Sequence, residues 1–465
     1  MAITVNNLNS LSLLHILNRT SQAQTNTLWQ MSTGSRINSG KDDPAGLIAM
    51  SLLDTELRAV DAAIANNQRT DAMLNVADKS LTEVYSLLNE IKDLAISSAN
   101  ESGISSAELA ANQAQVDEAL TAIDRIIATT QFNGKKLLDG SLAIQTSGVD
   151  ATDITDLKVY NRPESAVPVT VELQLSASRA VASIAATSAT ADTAINVHGK
   201  DGAVVIQISQ GENLSSVAAK INAATAQTGV TASANGGDLS LLSSDYGSDA
   251  FVRVTVVGDT NDTSFSAQDD TGTDAEINVN GQAAAVDGKS VSYSTSGVSF
   301  SFDITDAFNQ SAVGTTTSFT VDASGGATFQ LGTTSQTRHT IGIDGLYTYL
   351  LGNRDKGYLE SLGGGKSNSL INDPNQAAQI ASVAAEQLAT VQGRIGGFLK
   401  FQVTSALNQQ TATKESYSAA LSTIRDVDYA QATADLSRQN VLMQSAMSLL
   451  GLANQQAMQV LTLLR

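Results

Sequence analysis

The sequence predicts an α+β protein: a long-helix coiled-coil core formed by both chain ends, with an inserted β-rich outer domain. Three observations predict it. The stretch from Gln439 to Leu464 holds no charged residue, and Met443, Met447, Leu450, Asn454, Ala457, Leu461 and Leu464 alternate steps of four and three. That is the spacing of a heptad seam on a helix. The other end answers it. Leu8, Leu11, Leu14 and Leu17 step by three, Leu28 and Met31 continue the pattern, and only Arg19 and Arg36 are charged before Lys41. Between the ends, from about 140 to 372, helical spacing gives way to short alternating runs separated by Gly, Ser, Thr, Asp and Asn, which read as strands between turns.

The last helix is apolar nearly all round, because Leu442, Leu449, Leu452, Val460 and Leu463 lie off the seam. Such a helix has to be buried on several sides. Lipid is excluded as the burying medium by Gln439, Asn440, Gln444, Asn454, Gln455, Gln456 and Gln459, each of which would need a partner there. Burial by protein fits, and a chain end buried by copies of itself marks an assembly subunit. The candidate subunit-packing residues are Leu11, Leu14, Leu17, Leu28, Met31, Met443, Met447, Leu450, Leu461 and Leu464. Burying about eight large side chains per helix, at roughly 1.5–3 kcal/mol each, offsets part of the entropy of ordering the ends.

Asp42-Asp43-Pro44 reads as a helix start, with Asp as N-cap and Pro at the first helical position. Leu81, Val84, Leu88, Ile91 and Ala95 form one helical seam, and Val116, Leu120, Ile123 and Ile127 another. Asn100-Glu101-Ser102-Gly103 stops the first of these, and Asn133-Gly134 turns the chain after the second. Val204–Ile208 and Phe251–Val256 are strand-like, and Val217–Asn222 reads as a short helix. Ala194–Gly199 and Glu276–Gly281 are a weak repeat, equally readable as two unrelated hairpins with similar turns. After Asp373-Pro374 helix returns, with a seam of Leu388, Val391, Ile395 and Phe398 and soft points at Gly393, Gly396 and Gly397.

Composition narrows the function. The chain of 465 residues has no cysteine, which excludes a disulfide framework and a thiolate metal site. Its net charge of −19 divides as −8 over residues 1–180, −12 over 181–327 and +1 over 328–465. An acidic middle repels nucleic acid and anionic membrane and suits a solvated surface. Met1-Ala2-Ile3-Thr4-Val5 has no basic n-region, so no Sec-type export is expected. His15, His198 and His339 are isolated, and no phosphate-binding loop or nucleophile elbow is present. Asp269–Asp274 lacks the spaced oxygen ladder of a calcium loop. No enzyme activity, metal or cofactor is expected.

Arg36-Ile37-Asn38-Ser39-Gly40-Lys41-Asp42-Asp43-Pro44-Ala45-Gly46, Gln131-Phe132-Asn133-Gly134 and the ending Val460-Leu461-Thr462-Leu463-Leu464-Arg465 resemble bacterial flagellin. Asn9–Leu14 and Ile424–Ala430 agree, Phe329-Gln330-Leu331-Gly332 resembles the family's return into its inner domain, and residues near 195–235 resemble a small module inserted in flagellins and cap proteins. The resemblance implies an inner-tube helix and spoke at 1–43, an inner helical domain with a β-hairpin at 44–180, a variable outer domain at 181–327, a return strand and helix at 328–424, and a second inner-tube helix at 425–465. It implies a self-assembling subunit of the extracellular flagellar filament, exported without a cleaved signal peptide. The implied partners are other copies, an export chaperone, and the hook–filament junction and cap proteins, with no nucleic acid and no membrane. The alternatives are a hook–filament junction protein or a flagellin with an adhesive outer domain. The resemblance also extends to the surface that Toll-like receptor five recognises on many flagellins. Leu88–Ala95 matches the recognition helix and keeps Leu94, but Glu90 replaces the family's central Arg, and Gln115 replaces a Glu on the neighbouring helix. Weak or absent receptor activation is the expectation.

Overall fold

A computed structural model of the chain describes residues 8–100, 103–162, 164–185, 188–257, 265–295 and 297–463, without the side chains of 8–10, 457 and 460–463. Nine α-helices occur among the described residues: α1 (Leu8–Thr33), α2 (Pro44–Ser98), α3 (Ser106–Thr129), α4 (Leu214–Ala223), α5 (Thr225–Thr228), α6 (Asp306–Asn309), α7 (Pro374–Phe398), α8 (Thr404–Arg425) and α9 (Tyr429–Leu463). The chain divides into two compact units. The first gathers residues 1–68, 330–337 and 404–465, and the second 69–329 and 338–403.

In the first unit, α1 packs along α9 and α8 is tied to α2 by the ion pair Lys414–Asp61 at 2.8 Å. The start of α2 follows its sequence. The Asp43 carboxylate accepts from Gly46 N at 2.8 Å and Pro44 opens the helix, while Asp42 accepts from the backbone N–H groups of Asn38 and Ser39. Those bonds hold the Asp42 carboxyl below the usual range. Asn67 donates to Leu331 O at 3.0 Å, which anchors the 330–337 segment.

In the second unit the three helical seams are buried as their spacing requires: Leu81, Val84, Leu88, Ile91 and Ala95 on α2, Val116, Leu120, Ile123 and Ile127 on α3, and Leu388, Val391 and Ile395 on α7. Ser105 and Glu108 form a capping box that restarts the helix after the stop at 100–103. The three glycines do not break α7, which ends at Phe398 in a π-helical turn, Leu399–Val403.

The β region holds two cores. One lies in a sandwich of a five-stranded sheet, ordered Gln282–Ala283, Glu276–Val279, Val167–Leu175, Thr316–Gly325, Ile144–Ser147, and a four-stranded sheet, ordered Ala285–Asp287, Ser290–Ser294, Ser299–Ile304, Ile154–Asn161. Every pairing recorded in these sheets is antiparallel. Val169, Val171, Leu173, Phe300, Phe302 and Phe319 fill the space between them. Strand pairing in this sandwich crosses the boundary expected at residue 180. The strands Ile154–Asn161 and Val167–Leu175, assigned to the inner domain, hydrogen-bond to strands beyond residue 275 and share their core. Alternation of side chains marks strands but not which strands pair.

The second core belongs to a segment inserted within the chain that builds the first. Ser178 and Thr273 bond each other's backbone, at 2.9 and 3.3 Å, and the chain between them builds its own module. A four-stranded sheet (Gln268–Thr271, Phe251–Val256, Thr193–Gly199, Gly202–Ile208) and a three-stranded sheet (Val181–Ala185, Asp238–Ser243, Val230–Asn235) bury Ile195, Val197, Leu239, Leu241 and Val252 with Val217 and Ile221 of α4. The two copies of the weak repeat are each the first strand of a hairpin, but they lie in different sheets beside unrelated neighbours.

Because entry and exit of the nested module are adjacent, joining Ser178 to Thr273 should leave the sandwich folded, with cooperative thermal unfolding by circular dichroism. Removing 181–327 instead strips Val169, Val171 and Leu173 of their partners, at roughly 1.5–3 kcal/mol per side chain, and should yield aggregated or protease-sensitive protein. The opposite ranking would contradict the nested arrangement.

Asp303 sits beside a cavity of about 300 Å³ that Asp156, Tyr160, Asp344 and Arg394 also line. Burial pushes its carboxyl above the usual range, the Ser290 hydroxyl lowers it, Asp156 and Asp355 raise it, and Lys158 lowers it. With the folded pKa above the unfolded one, the ionised carboxylate opposes folding at neutral pH, and this penalty is lost as pH falls through the raised value. Asp303→Asn should raise the thermal midpoint at pH 7 and lose that advantage once Asp303 itself is protonated. Calorimetry at several pH values checks this; a lowered midpoint at pH 7 contradicts it.

Candidate functional site

The paired chain ends form the site. α1 runs antiparallel to α9, because Gln24 donates to Asn440 at 2.7 Å and Gln439 to Thr27 at 3.1 Å, while the Tyr429 hydroxyl donates to Met31 O at 3.0 Å. The covered positions follow heptad spacing on both helices: Leu13, Leu17, Thr20, Gln24, Thr27 and Met31 on α1, and Ala432, Leu436, Gln439, Met443, Ala446, Leu450 and Ala453 on α9. The seam between them mixes small and polar residues with few leucines. Gln439 Oε1 is buried in it without a partner.

A clip closes one end of the pair. α1 stops at Gly34, whose φ of +70° suits the left-handed residue that ends a helix. Val427 N donates to Gly34 O at 3.1 Å and Arg36 N to Arg425 O at 2.6 Å. The Arg36 guanidinium donates twice to Ile424 O, at 3.2 and 2.9 Å, and lies 3.8 Å from Asp43. Arg425 pairs with Asp426, and the Ser422 hydroxyl donates to the same carboxylate, so Asp426 lies below its ordinary pKa through Ser422 first and Arg425 second.

This geometry sorts the candidate packing residues. Leu17, Met31, Met443 and Leu450 are half-buried in the seam. Leu11, Leu14, Leu28 and Met447 are exposed, Met447 at 52%. Met447 misses the seam because Ala446 and Ala453, one position earlier in each step, face α1. The Leu461 side chain and all of Leu464 lie outside what is described. The outward faces carry further apolar residues. Val441, Leu442, Leu449, Leu452 and Met458 are exposed on α9, Ile16 on α1, and Ile48 and Leu52, one turn apart, on α2. Trp29, the chain's one tryptophan, is 59% exposed, and two residues from both Thr27 and Met31 it points away from α9. The sequence reading missed Trp29; a signal was present in the absence of charge from Thr20 to Ser35.

The residues singled out for receptor contact come together in the second unit. Glu90 and Gln115 are exposed and line one shallow groove with Leu87, Glu118 and Arg125, whereas Leu94 is half-buried. Among the described residues no group of three or more His, Asp or Glu side chains is arranged to hold a metal ion.

Arg36→Ala removes the two donors to Ile424 O from a partly exposed site. It should weaken the α1–α9 pair by about 1 kcal/mol, read as faster hydrogen exchange, relative to the intrinsic rate, at the amides of position 36 and Val427. Unchanged exchange at both amides would count against the clip.

Comparison with known proteins fits this arrangement. The bacterial flagellin N-terminal helical region matches residues 5–143, the bacterial flagellin C-terminal helical region 378–464, and the flagellin hook IN motif 194–245. The B-type flagellin of Pseudomonas aeruginosa is 36% identical over 170 residues, 36% of this chain and 35% of that protein. The match thus spans about a third of that relative's length. The flagellin of Salmonella choleraesuis is 27% identical over 99% of both chains. Among solved structures, flagellar hook associated protein-3 of Legionella pneumophila aligns with 84% of this chain and 99% of its own at 10% identity, with a TM-score of only 0.28. The three regional matches together span more than half of the sequence, in order and with the two terminal ones on the helices that pair: the chain belongs to the bacterial flagellin family.

Proposed function

We propose that the chain is the structural subunit of a helical flagellar filament, assembling with copies of itself for motility. The observation that carries this is the outward apolar face of the paired terminal helices. Val441, Leu442, Leu449 and Leu452 on α9 and Leu11, Leu14, Leu28 and Trp29 on α1 stay exposed in the single chain. Exposed apolar surface of this density marks an interaction site. Other copies offer a partner of the same charge-free character. Head-to-tail contacts that do not close a ring give an open helical polymer. On this reading the seam residues Leu17, Met31, Met443 and Leu450 hold the pair together within a subunit, and the outward residues meet neighbours. The outer domain is drawn at about 144–325, with 1–43 and 425–465 as the polymerising ends.

The reading places the protein outside the cell, exported without a cleaved signal peptide, with an export chaperone and the hook–filament junction and cap proteins as partners. Catalysis, nucleic-acid binding and membrane insertion have no part in it. No helix among the described residues is long and apolar enough to cross a membrane.

Leu449 is exposed in the single chain, so Leu449→Asp should change monomer stability by no more than about 0.5 kcal/mol. In a polymer it would bury an unpaired charge at a cost of several kcal/mol. The expected result is a soluble, helical subunit that sediments as monomer where the parent chain forms filaments. Normal filaments from Leu449→Asp would refute the reading. Trp29 emission should shift to the blue as the parent chain polymerises.

Weak or absent activation of Toll-like receptor five is part of the same proposal. It is supported by exposed Glu90 and Gln115 in one groove, since reversing the charge of an interface Arg adds repulsion to a lost contact. A reporter-cell dose response should show a large gain for Glu90→Arg with Gln115→Glu. Full potency of the parent chain would sink it.

A further inference from the structure

Ion pairs among the described residues are mostly superficial. Apart from two lysines, every cation in these pairs keeps at least 45% of its side-chain surface. The exceptions are Lys289, 11% exposed, and Lys356, 17% exposed. Both converge on one tip, Arg354-Asp355-Lys356. Asp355 receives Lys289 of the sandwich at 3.1 Å, and Lys289 also pairs with Asp306 at 3.0 Å. The next residue reaches the other way: Lys356 meets Asp245 at 3.1 Å and Asp201 at 3.7 Å, both in the nested module. Two adjacent side chains of opposite charge thus grip two separately cored modules.

The tip stands on a fixed base. It joins the paired strands Gly352–Asn353 and Gly357–Tyr358. Gln387 of α7 bonds both backbone groups of Gly352, at 3.0 and 2.7 Å, and Gln376 donates to Lys356 O. Gly357 has φ +118°, and a Cβ there would meet Asn368 at 2.9 Å and Ile380 at 3.0 Å, so the backbone lies close against α7. Gln379 of α7 donates to Ala226 O of the nested module at 2.8 Å. The Tyr246 ring takes Arg179 and Lys289 at 4.4 and 4.7 Å from its centre, which joins the two modules at the same place. Burial opposes the charge on Lys289, yet Asp306 and Asp355 hold its ammonium above the ordinary value.

We propose that Asp355 and Lys356 form an electrostatic bracket that fixes both β modules on α7, and that breaking one arm releases one module with its core still folded. Partly buried pairs are screened little by salt, and removing one partner leaves a buried charge uncompensated. The bracket is therefore stiff at ordinary ionic strength and fails arm by arm.

Hydrogen exchange on the soluble full-length chain tests this without reference to assembly. Lys356→Glu should speed exchange at 352–358 and 244–247 by on the order of tenfold or more, while the core strands Thr193–Gly199 and Asp238–Ser243 keep their protection. Lys356→Glu combined with Asp245→Lys restores opposite charges and should return exchange toward the parent rate. Lys356→Gln, which removes the charge without repulsion and is the safer variant for folding, should give a smaller release at the same segments. Unchanged exchange in Lys356→Gln and Lys356→Glu overturns the proposal. So does a charge swap that fails to restore what Lys356→Glu releases.

Discussion

Two backbone hydrogen bonds, Arg36 N to Arg425 O and Val427 N to Gly34 O, hold residues almost four hundred positions apart side by side. The first unit depends on them. They bring the C-terminus of α1 to the N-terminus of α9 and so set the antiparallel register in which Thr27 meets Gln439 and Gln24 meets Asn440. They also make the chain between residues 36 and 425 start and end at one point. Closing a loop of that length costs little more than closing one half as long.

The seam that the clip aligns is weak by the measure of coiled coils. Threonine, glutamine and alanine occupy positions that leucine fills in a stable pair, and one buried amide oxygen is left without a donor. Many large apolar side chains, Trp29, Leu442, Leu449 and Leu452 among them, sit on the outside. A pair built this way gains little from its own halves and much from neighbours. That balance suits the proposed subunit, whose outward face other copies would cover.

The β region solves a different problem. An insertion nested inside an insertion needs adjacent ends at each level, and Ser178 with Thr273 supplies them for the inner one. Each level then has its own core, aliphatic with a cluster of aromatic rings in the sandwich, and aliphatic apart from Phe265 in the nested module. What sets one against the other is polar: the Lys289 and Lys356 pairs, the Tyr246 ring and the glutamines of α7. The acidic side chains at this junction are met by two little-exposed lysines, Lys289 and Lys356, each paired with two acids.

The sequence by itself determined the helical ends, the inner helices and the presence of a β-rich middle. The period of Leu81–Ala95 and Val116–Ile127, the Asp-Pro starts at 43–44 and 373–374, and the alternation at 204–208 and 251–256 appear in the structure as read. These are local signals, fixed by the 3.6 and 2.0 residue periods and by capping chemistry. The family resemblance was legible because Arg36, Ile424 and Asp43 lie in motifs of consecutive residues. The tertiary structure decided what those periods leave open. It chose which of two neighbouring heptad rows on α9 faces α1, taking Ala446 and Ala453 and leaving Met447 outside, because small residues allow close approach of the helices. It also joined strands at 154–175 to strands beyond 275, since strand pairing is a long-range choice that alternation does not encode. Trp29 as an outward residue, and Asp355 and Lys356 as two arms of one tip, depend on where the partner helix and modules lie, and that is information no single segment holds.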